Sequence, residues 1–593
     1  MRFKKTSAGL ATLLVLGMAS SSHAVDFDRI APKKSDGTNK ATVSTPGVPA
    51  AKEAGAEDPR APRLGALIVV GSRSAVKGSG DVSASGVKVG TSPALDILRG
   101  PDFDYLMSGF LGMRVSEALL ANVQREIILY YRSRNRPVVD VVIPAQESIG
   151  KGVLQVYVIE GKLGKIVVEG NNWTKEERIR KNVKLEEGGA IDTSAILDGV
   201  DWLNTNPGRM INPSLRPGSA LGTSDLVLNV DEKKIPWDFY IGADNTGPEL
   251  IGSERMFAGF NWNNAFGLDH RLGYRYTMAM DVRSLMAHSL SYDIPLPWKH
   301  TLSFYGGYVD AESDFGVPNG AARQYSESWQ ASVRYNLPLP QIGKYNHDLA
   351  IGFDYKRFDS DLLFVGAPTL FIPGTTRSDI VVAQVAAQYR GSMTDKWGGT
   401  SIGLEGFYSP GGIGDYNDDA SYAAQEAGST ANYMYGRASI QRLIKLPVDL
   451  SAQLRGLVQI AEGDLQGSEK FGLGGAQTVR GYEERHANGD DAYVLNAEVY
   501  SPAFSVAKLL DPEATDRLQF LTFFDYGVTS PHQTHLPGED AHLILSSFGF
   551  GMRYNVKRYF SFRFDYGWQL TNPYESVPRG DTSRGHVSAT VSF

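Results

Sequence analysis

The sequence predicts a transmembrane β-barrel of about sixteen antiparallel strands that follows two small α/β domains. Apolar and polar side chains alternate with period two from about residue 235 to the carboxyl terminus, as in strands that face lipid on one side and water on the other. The same parity recurs in segment after segment and leaves nothing else to cover the apolar face, so lipid is its simplest neighbour. The best example places Phe560, Phe562, Phe564, Tyr566, Trp568 and Leu570 on one face and Tyr559, Ser561, Arg563, Asp565, Gly567 and Gln569 on the other.

The composition favours the same class. The 593 residues include 64 Gly, 28 Tyr and 26 Phe, and no Cys. Aromatic girdles and open loops produce such a composition, and the lack of cysteine excludes a disulfide scaffold or a thiolate metal site. The net charge of −7 gives no indication of a nucleic-acid partner.

Turn signals divide the barrel region, residues 235–593, into about sixteen alternating segments. An even number is typical of single-chain bacterial barrels, and barrels of this size have a lumen too wide for side chains to fill. The predicted segments start near residues 237, 253, 269, 284, 299, 323, 346, 378, 398, 431, 447, 490, 517, 543, 558 and 585.

The amino terminus is typical of a secreted protein. Lys4 and Lys5 precede an apolar run, and small residues end at Ala24, so residues 1–24 are predicted to be a signal peptide. Residues 25–63 are rich in Ala, Lys, Gly and Pro and are predicted to form a flexible linker. No later run approaches the roughly 20 apolar residues that a membrane helix requires.

Two mixed α/β units follow, at residues 64–161 and 162–234. In the first, a helix is expected to begin near Ser116, ahead of strands at Val138–Pro144 and Val153–Glu160. In the second, Thr174 and Glu177 are predicted to form a capping box, and Asp192 is predicted to cap the next helix. Lys165–Glu169 and Asp225–Val230 are the strands expected in this unit.

A glycine-rich segment of mixed charge, residues 462–489, interrupts the strands of the barrel. Connections of this length without secondary structure tend to be functional or disordered. If the segment folds into the lumen, Arg480 requires a carboxylate, and strand parity points Asp525 inward. We therefore expect a bidentate pair between Arg480 and Asp525, with Gly481 allowing a sharp bend and Tyr482 packing beside it. Asp565 also faces inward and is a rival partner, although ordinary hydration in the pore is the interpretation favoured for it.

These residues resemble the motifs of a known family. Val479-Arg480-Gly481-Tyr482 resembles the VRGY signature of the outer-membrane transporter superfamily with POTRA domains, and the strand segment Phe523-Phe524-Asp525-Tyr526-Gly527 resembles its matching F-x-D-x-G motif. Two POTRA-like units before about sixteen strands are similar to the two-partner secretion branch, the TpsB transporters of the ShlB, FhaC and HecB type. The stretch Leu203–Arg209 with Pro217-Gly218 is similar to one found in that branch.

The resemblance implies a transporter in the outer membrane of a Gram-negative bacterium, with its POTRA domains in the periplasm. It implies a large, secreted β-helical exoprotein as cargo, and the aromatic carboxyl end at Phe593 is similar to the ending that outer-membrane barrels offer to their assembly machinery. The resemblance implies no cofactor, and the sequence contains no phosphate-binding motif. The family often has an amino-terminal plug helix, but Pro32, Pro46, Pro49 and Pro59 argue against a long one here.

Alternatives remain open. A barrel-assembly insertase of the same superfamily and a passive porin share the barrel, although a porin does not need two α/β units. No catalytic constellation is present, so an enzyme is not expected.

Two patterns could suggest metal binding, but an exposed acidic loop and solvated histidines are the preferred interpretations. They are the EF-hand-like spacing of Asp415, Asn417, Asp419 and Glu426, and the pair His532 and His535.

Overall fold

The structure is a computed structural model that divides into two compact units. It describes residues 30–32, 41–45, 47–53, 58–78, 84–317, 320–365, 377–509, 511–533, 541–573 and 580–593, so the predicted signal peptide lies outside the described residues. One unit is Ser35–Pro236, and the other combines Met1–Lys34 with Trp237–Phe593. Within the described part of the chain, none of the helices has both the length and the apolar character needed to span a bilayer.

The first α/β domain has a four-stranded sheet in the order β2-β1-β4-β3. Ser116 accepts a hydrogen bond from the Leu119 amide and begins the long helix where the sequence predicts it. Val123, Ile127 and Tyr131 of that helix are fully buried in the domain core. The elements are β1 (Ala66–Val70), β2 (Gly86–Val89), α1 (Pro101–Ser108), α2 (Glu117–Ser133), β3 (Val139–Val142) and β4 (Val153–Glu160), with short 3-10 helices at Arg73–Ala75, Pro93–Leu98 and Glu147–Lys151.

The second α/β domain has a three-stranded sheet in the order β5-β7-β6. Its elements are β5 (Lys162–Glu169), α3 (Glu176–Asn182), α4 (Thr193–Leu203), β6 (Arg209–Pro217) and β7 (Thr223–Glu232). Asp192 caps α4 as predicted, accepting hydrogen bonds from the Ser194 and Ala195 amides. The capping box predicted for α3 is wrong: Lys175 occupies the N-cap without a side-chain bond, because the Thr174 hydroxyl accepts a hydrogen bond from the buried Arg209 instead.

Two sets of hydrogen bonds, from Asn204 and from Ser44, cover the outer edge of β6. The Asn204 side chain donates to the Ile211 carbonyl and accepts from the Ile211 amide, at 3.1 and 2.8 Å. Farther along, Ser44 pairs in parallel with Ser214, donating to the Pro213 carbonyl and accepting from the Leu215 amide. Both sets of hydrogen bonds occupy backbone groups of β6 that would otherwise be free to pair with another strand.

Part of the segment predicted as a flexible linker is therefore packed. Ala41 is buried in the core of the second domain with Val43 against it, and Lys52 exchanges two hydrogen bonds with Asn122 on α2. Its low apolar content does not indicate this, because the contacts are mostly backbone hydrogen bonds, which need no apolar side chain.

The second unit contains a closed barrel of sixteen strands in the order β10-β11-β12-β13-β14-β15-β16-β17-β18-β21-β22-β23-β24-β25-β8-β9. All sixteen predicted segments are present, and the largest offset in a start is four residues, where a 3-10 turn at Pro447–Asp449 delays the strand predicted from 447. The strands are β8 (Trp237–Asp244), β9 (Arg255–Ala265), β10 (His270–Ala279), β11 (Leu285–Pro295), β12 (Thr301–Val317), β13 (Gly320–Pro338), β14 (Tyr345–Val365), β15 (Arg377–Asp395), β16 (Gly398–Pro410), β17 (Asn432–Lys445), β18 (Ser451–Ala461), β21 (Asp491–Tyr500), β22 (Asp516–Ser530), β23 (Leu543–Val556), β24 (Phe560–Gln569) and β25 (Ser583–Ser592). A separate hairpin, β19 (Phe471–Leu473) and β20 (Ala487–Gly489), and the helix α5 (Asp419–Gln425) lie in the connections, with 3-10 helices at Glu249–Ile251 and Ala507–Leu509.

The wall has the two faces that the parity predicts. On β22, Phe520, Phe524 and Tyr526 are exposed, whereas Phe523 and Asp525 are buried. Near the amino terminus, Ile30 packs inside this unit, in a cluster that includes Leu285 and Val309, and its carbonyl accepts a hydrogen bond from Ser289. Ile30 therefore contacts the barrel.

We predict that Asn204→Ala destabilises the second α/β domain by about 2–4 kcal/mol, because it leaves the amide and carbonyl of Ile211 buried without partners. The rate of proteolysis within residues 35–236 of the detergent-solubilised chain, followed against urea concentration, measures this. Asn229→Ala is the matched control, because that amide is exposed on the same sheet; a surface change of this kind should cost less than about 0.5 kcal/mol. Equal urea midpoints for the two variants would contradict the role given to Asn204.

Candidate functional site

The connection between β18 and β21 folds against the inner wall of the barrel. The sequence predicts a loop without secondary structure at residues 462–489, but the structure differs: β19 and β20 pair in register from Phe471 with Gly489 to Leu473 with Ala487. Three pairs in a glycine-rich stretch are too few to give a recognisable alternation. The hairpin narrows the loop at its base and projects the segment around Arg480.

Arg480 makes the bidentate contact that the sequence predicts. Its Nε and Nη2 donate to the two oxygens of Asp525 at 2.7 and 2.8 Å, and its backbone amide donates to the same carboxylate at 3.1 Å. Arg480 is 2% exposed and Asp525 is 0% exposed. Charge-assisted bonds of this geometry are among the strongest polar contacts in proteins, so the loop is fastened to β22.

A second carboxylate, not predicted from the sequence, also holds Arg480. Glu498 on β21 lies 2.6 Å from Nη1 of the guanidinium. Strand parity marks Glu498 as inward, like Asp525, since Glu498 pairs with Phe523 across the ladder. Parity alone could have placed it among the candidates, but could not show its distance from the loop.

Asp565 is not simply hydrated, and that interpretation is wrong. Asp565 is 0% exposed, and its oxygens lie 2.9 Å from Arg553 and 2.7 Å from Arg563, with Arg480 at 3.5 Å. The packed loop excludes water from this part of the wall. The rival partner thus contributes to the same charge network as Asp525.

The other motif residues shape the contact. The Phe523 ring lies under the guanidinium, with Arg480 Cζ 3.5 Å from the ring centroid, a cation–π geometry. Gly481 has a φ of +90°, and a Cβ there would lie 2.8 Å from the Gly567 carbonyl oxygen, so glycine is required on both counts. At Gly527, a Cβ would lie 2.4 Å from the Leu473 side chain, so glycine admits the hairpin.

Val479 and Tyr482 anchor the loop on either side of Arg480. Val479 is fully buried in a cluster with Leu473 and Tyr482. The Tyr482 hydroxyl donates to the Thr571 carbonyl at 2.7 Å, beyond the end of β24. The four motif residues therefore bind the wall by an ion pair, a close backbone approach and apolar packing together.

The first part of the loop, residues 462–470, is called the descending limb here, and it contacts another region of the wall. Glu469, 1% exposed, accepts hydrogen bonds from Lys356 on β14, Gln384 on β15 and Tyr435 on β17, at 2.8, 3.1 and 2.7 Å. The next residue, Lys470, donates to Glu426 in the loop after α5, at 2.7 Å. Glu469 was not predicted from the sequence, because nothing in the alternation of the strands marks a glutamate within a loop.

The residues of the EF-hand-like pattern make hydrogen bonds and an ion pair within the protein. Asn417 donates to the Val381 carbonyl, Asp419 accepts from the Ala431 amide, and Glu426 pairs with Lys470. No group of three or more His, Asp or Glu side chains in the described part of the chain could hold a metal ion. His532 is described, whereas His535 lies outside the described residues.

We predict that Asp525→Asn releases the Arg480 segment. The substitution keeps the size of the side chain but removes the charge from a buried pair, a loss of about 3–5 kcal/mol. Trypsin should then cleave after Arg480 in the detergent-solubilised barrel at a higher rate, measured by mass spectrometry of the fragments. Glu405→Gln, which alters a wall carboxylate that accepts a hydrogen bond from Gln388, serves as control; equal cleavage in both variants would argue against the Asp525 anchor.

Comparison with known proteins shows what the chain is similar to. Residues 222–363 match the family model for the haemolysin secretion/activation proteins ShlB/FhaC/HecB, and residues 399–582 match the Omp85 superfamily domain. The heme/hemopexin transporter protein HuxB of Haemophilus influenzae (strain 86-028NP) is 22% identical over 71% of this chain and 72% of its own. The outer membrane transporter CdiB of Dickeya dadantii (strain 3937) is 23% identical over 72% of this chain and 73% of its own.

A solved structure shares the fold. The structure of CdiB from Escherichia coli superposes with a TM-score of 0.68 at 16% identity, over 99% of this chain and 98% of the other. The Arg480 motif lies within the matched Omp85 domain. The resemblance inferred from the residues is thereby confirmed: the chain is similar to the haemolysin secretion/activation proteins ShlB/FhaC/HecB and to the outer-membrane transporters HuxB and CdiB.

Proposed function

We propose that this chain secretes one unfolded partner exoprotein through its barrel to the cell surface, in two-partner, type V secretion. The cargo is a large β-helical exoprotein, and no enzymatic reaction and no cofactor take part. The observation that carries the proposal is the loop held inside a closed barrel by Arg480 and Asp525. A barrel with a movable internal segment can be closed at rest and opened for a cargo.

The arrangement of connections supports an orientation in the membrane. At the end where β8 begins, most connections are short, such as 265–270 and 395–398, whereas 410–432 and 461–491 at the other end are long. Outer-membrane barrels have short periplasmic turns and longer external loops. The α/β domains directly precede β8 in the chain, so we place them in the periplasm, where they meet the cargo before it enters the barrel.

The same domains suggest how cargo is held. Sheet edges bind extended peptides by adding a strand, with main-chain hydrogen bonds supplying affinity. The hydrogen bonds of Asn204 and Ser44 already occupy the edge of β6. We therefore favour another edge for binding the cargo, namely β2 (Gly86–Val89), which lies at the end of its sheet. The driving force would come from folding of the cargo outside the cell rather than from nucleotide hydrolysis.

Two further partners belong to the proposal. Exposed aromatic and aliphatic side chains on the strands, such as Phe524 and Leu495, are suited to outer-membrane lipid. The barrel-assembly machinery would bind the last strand during biogenesis, where Phe593 donates its amide to the Phe239 carbonyl and completes the ring.

We predict that vesicles containing the purified chain take up only the cognate exoprotein. An unfolded exoprotein added outside vesicles in the orientation that exposes the α/β domains should become protected from protease, whereas an unrelated unfolded protein of similar length should not. An assembly insertase would instead increase the folding rate of several unrelated barrels, and a porin would pass small solutes only. Either of those two results without cargo protection would refute secretion.

A further inference from the structure

The tip of the loop is held by hydrogen bonds from several strands at once. Besides the Arg480 contacts, donors on the wall reach backbone carbonyls of the tip, and these bonds are spread over β18, β21 and β24. They are Arg455 to the Gln477 carbonyl at 2.9 Å, Asn496 to the Thr478 carbonyl at 2.6 Å, Arg563 to the Ala476 carbonyl at 2.9 Å and Gln569 to the Gly481 carbonyl at 2.7 Å. Loss of any one bond leaves the others in place.

The contact at Glu469 has the opposite character. One carboxylate accepts all three bonds from Lys356, Gln384 and Tyr435. In the order β14-β15-β16-β17-β18-β21-β22, five strands separate Lys356 on β14 from Asp525 on β22. The Glu469 side chain therefore ties the loop to β14, β15 and β17, while the Glu469 carbonyl accepts a hydrogen bond from Gln459 on β18 at 3.2 Å.

We infer that Glu469 is the releasable anchor of the lumen loop and that the Arg480 site is its pivot. This inference rests on the proposed function, since only a transporter requires the loop to move. When Glu469 leaves Lys356, the descending limb is freed from β14, β15 and β17 while the tip stays attached to the wall from β18 to β24. Glu469 and Lys356 are positioning residues that set how often the loop opens.

The neighbouring residue ties this anchor to the cell-surface side of the barrel. Lys470 pairs with Glu426, and Gln466 donates to the Tyr422 carbonyl and the Ser429 hydroxyl, all in the connection between β16 and β17. This long connection lies at the end of the barrel that we place outside the cell. A displacement of Glu469 therefore pulls on a surface loop.

The absence of cysteine from the sequence allows a direct test. Single thiols are introduced by Ser468→Cys beside the anchor and, separately, by Ala476→Cys at the tip, and their reaction with a membrane-impermeant maleimide is timed in the reconstituted full-length chain. Adding Glu469→Gln or Lys356→Gln should accelerate labelling at position 468 about tenfold, the factor expected for one lost charge-assisted hydrogen bond. Labelling at position 476 should not change.

The controls separate the anchor from general loosening of the barrel. Glu462→Gln alters an exposed carboxylate at the start of the same loop and should leave both rates unchanged. The exchange of charges in Glu469→Lys with Lys356→Glu should restore slow labelling at position 468. The inference is overturned if neither variant accelerates labelling there, or if the rates at 468 and 476 rise together.

A cross-link tests whether release is needed for transport. Lys356→Cys and Glu469→Cys are joined by a reducible dimaleimide, which should lower export of the exoprotein to the background level, and reduction should restore it. Full export by the cross-linked chain would overturn the inference. Failure of the unsubstituted chain to export anything would instead refute the proposed function, and the labelling rates remain informative about the anchor in that case.

Discussion

Closure of the barrel is the constraint on which the rest of the structure depends. In lipid every backbone amide and carbonyl must find a partner within the protein, so a sheet can span the membrane only as a closed ring. The seam between β25 and β8 has only five register pairs, from Ser588 with Asp244 to Ser592 with Tyr240. Two contacts lengthen it: Phe593 donates to the Phe239 carbonyl, and Asn245 bonds with Val587 at the opposite end. The last residue of the chain is therefore part of the wall.

Once the ring is closed, the interior sets a second condition, which is charge balance. A guanidinium withdrawn from water is costly unless carboxylates surround it. Around the tip of the loop, the guanidinium groups of Arg480, Arg553 and Arg563 share the carboxylates of Asp525, Glu498 and Asp565. Arg455 adds a fourth guanidinium at the tip, where it donates to the Gln477 carbonyl. Buried ion pairs also join Lys356 with Glu469 and Arg334 with Asp354. Removing a carboxylate from any of these contacts leaves a buried positive charge without its partner.

The sequence predicts those features that depend on local periodicity. Strand parity places Asp525 inward, and the spacing of turn signals locates all sixteen strands, because both follow from side chains alternating along one strand. Contacts between distant segments are different. The Thr174 hydroxyl is taken by Arg209 rather than by its own helix, and Glu469 acquires its importance only when β14, β15 and β17 come together. The burial of Asp565 likewise depends on the loop packing over it, which no pattern within β24 could reveal.

The loop is anchored at two places, the tip and Glu469, and the two anchors differ in how many side chains must move before the loop is released. At the tip, bonds from several strands must break together before the segment can leave, so the probability of release falls with each added bond. At Glu469 the three wall bonds converge on one carboxylate, and rotation of that side chain breaks all of them in a single event. Each contact is of ordinary length, yet the second arrangement requires only one side chain to move, whereas release of the tip requires several separate side chains to move together. A loop held in both ways keeps its tip on the wall from β18 to β24, while one carboxylate decides whether the other end stays against β14, β15 and β17.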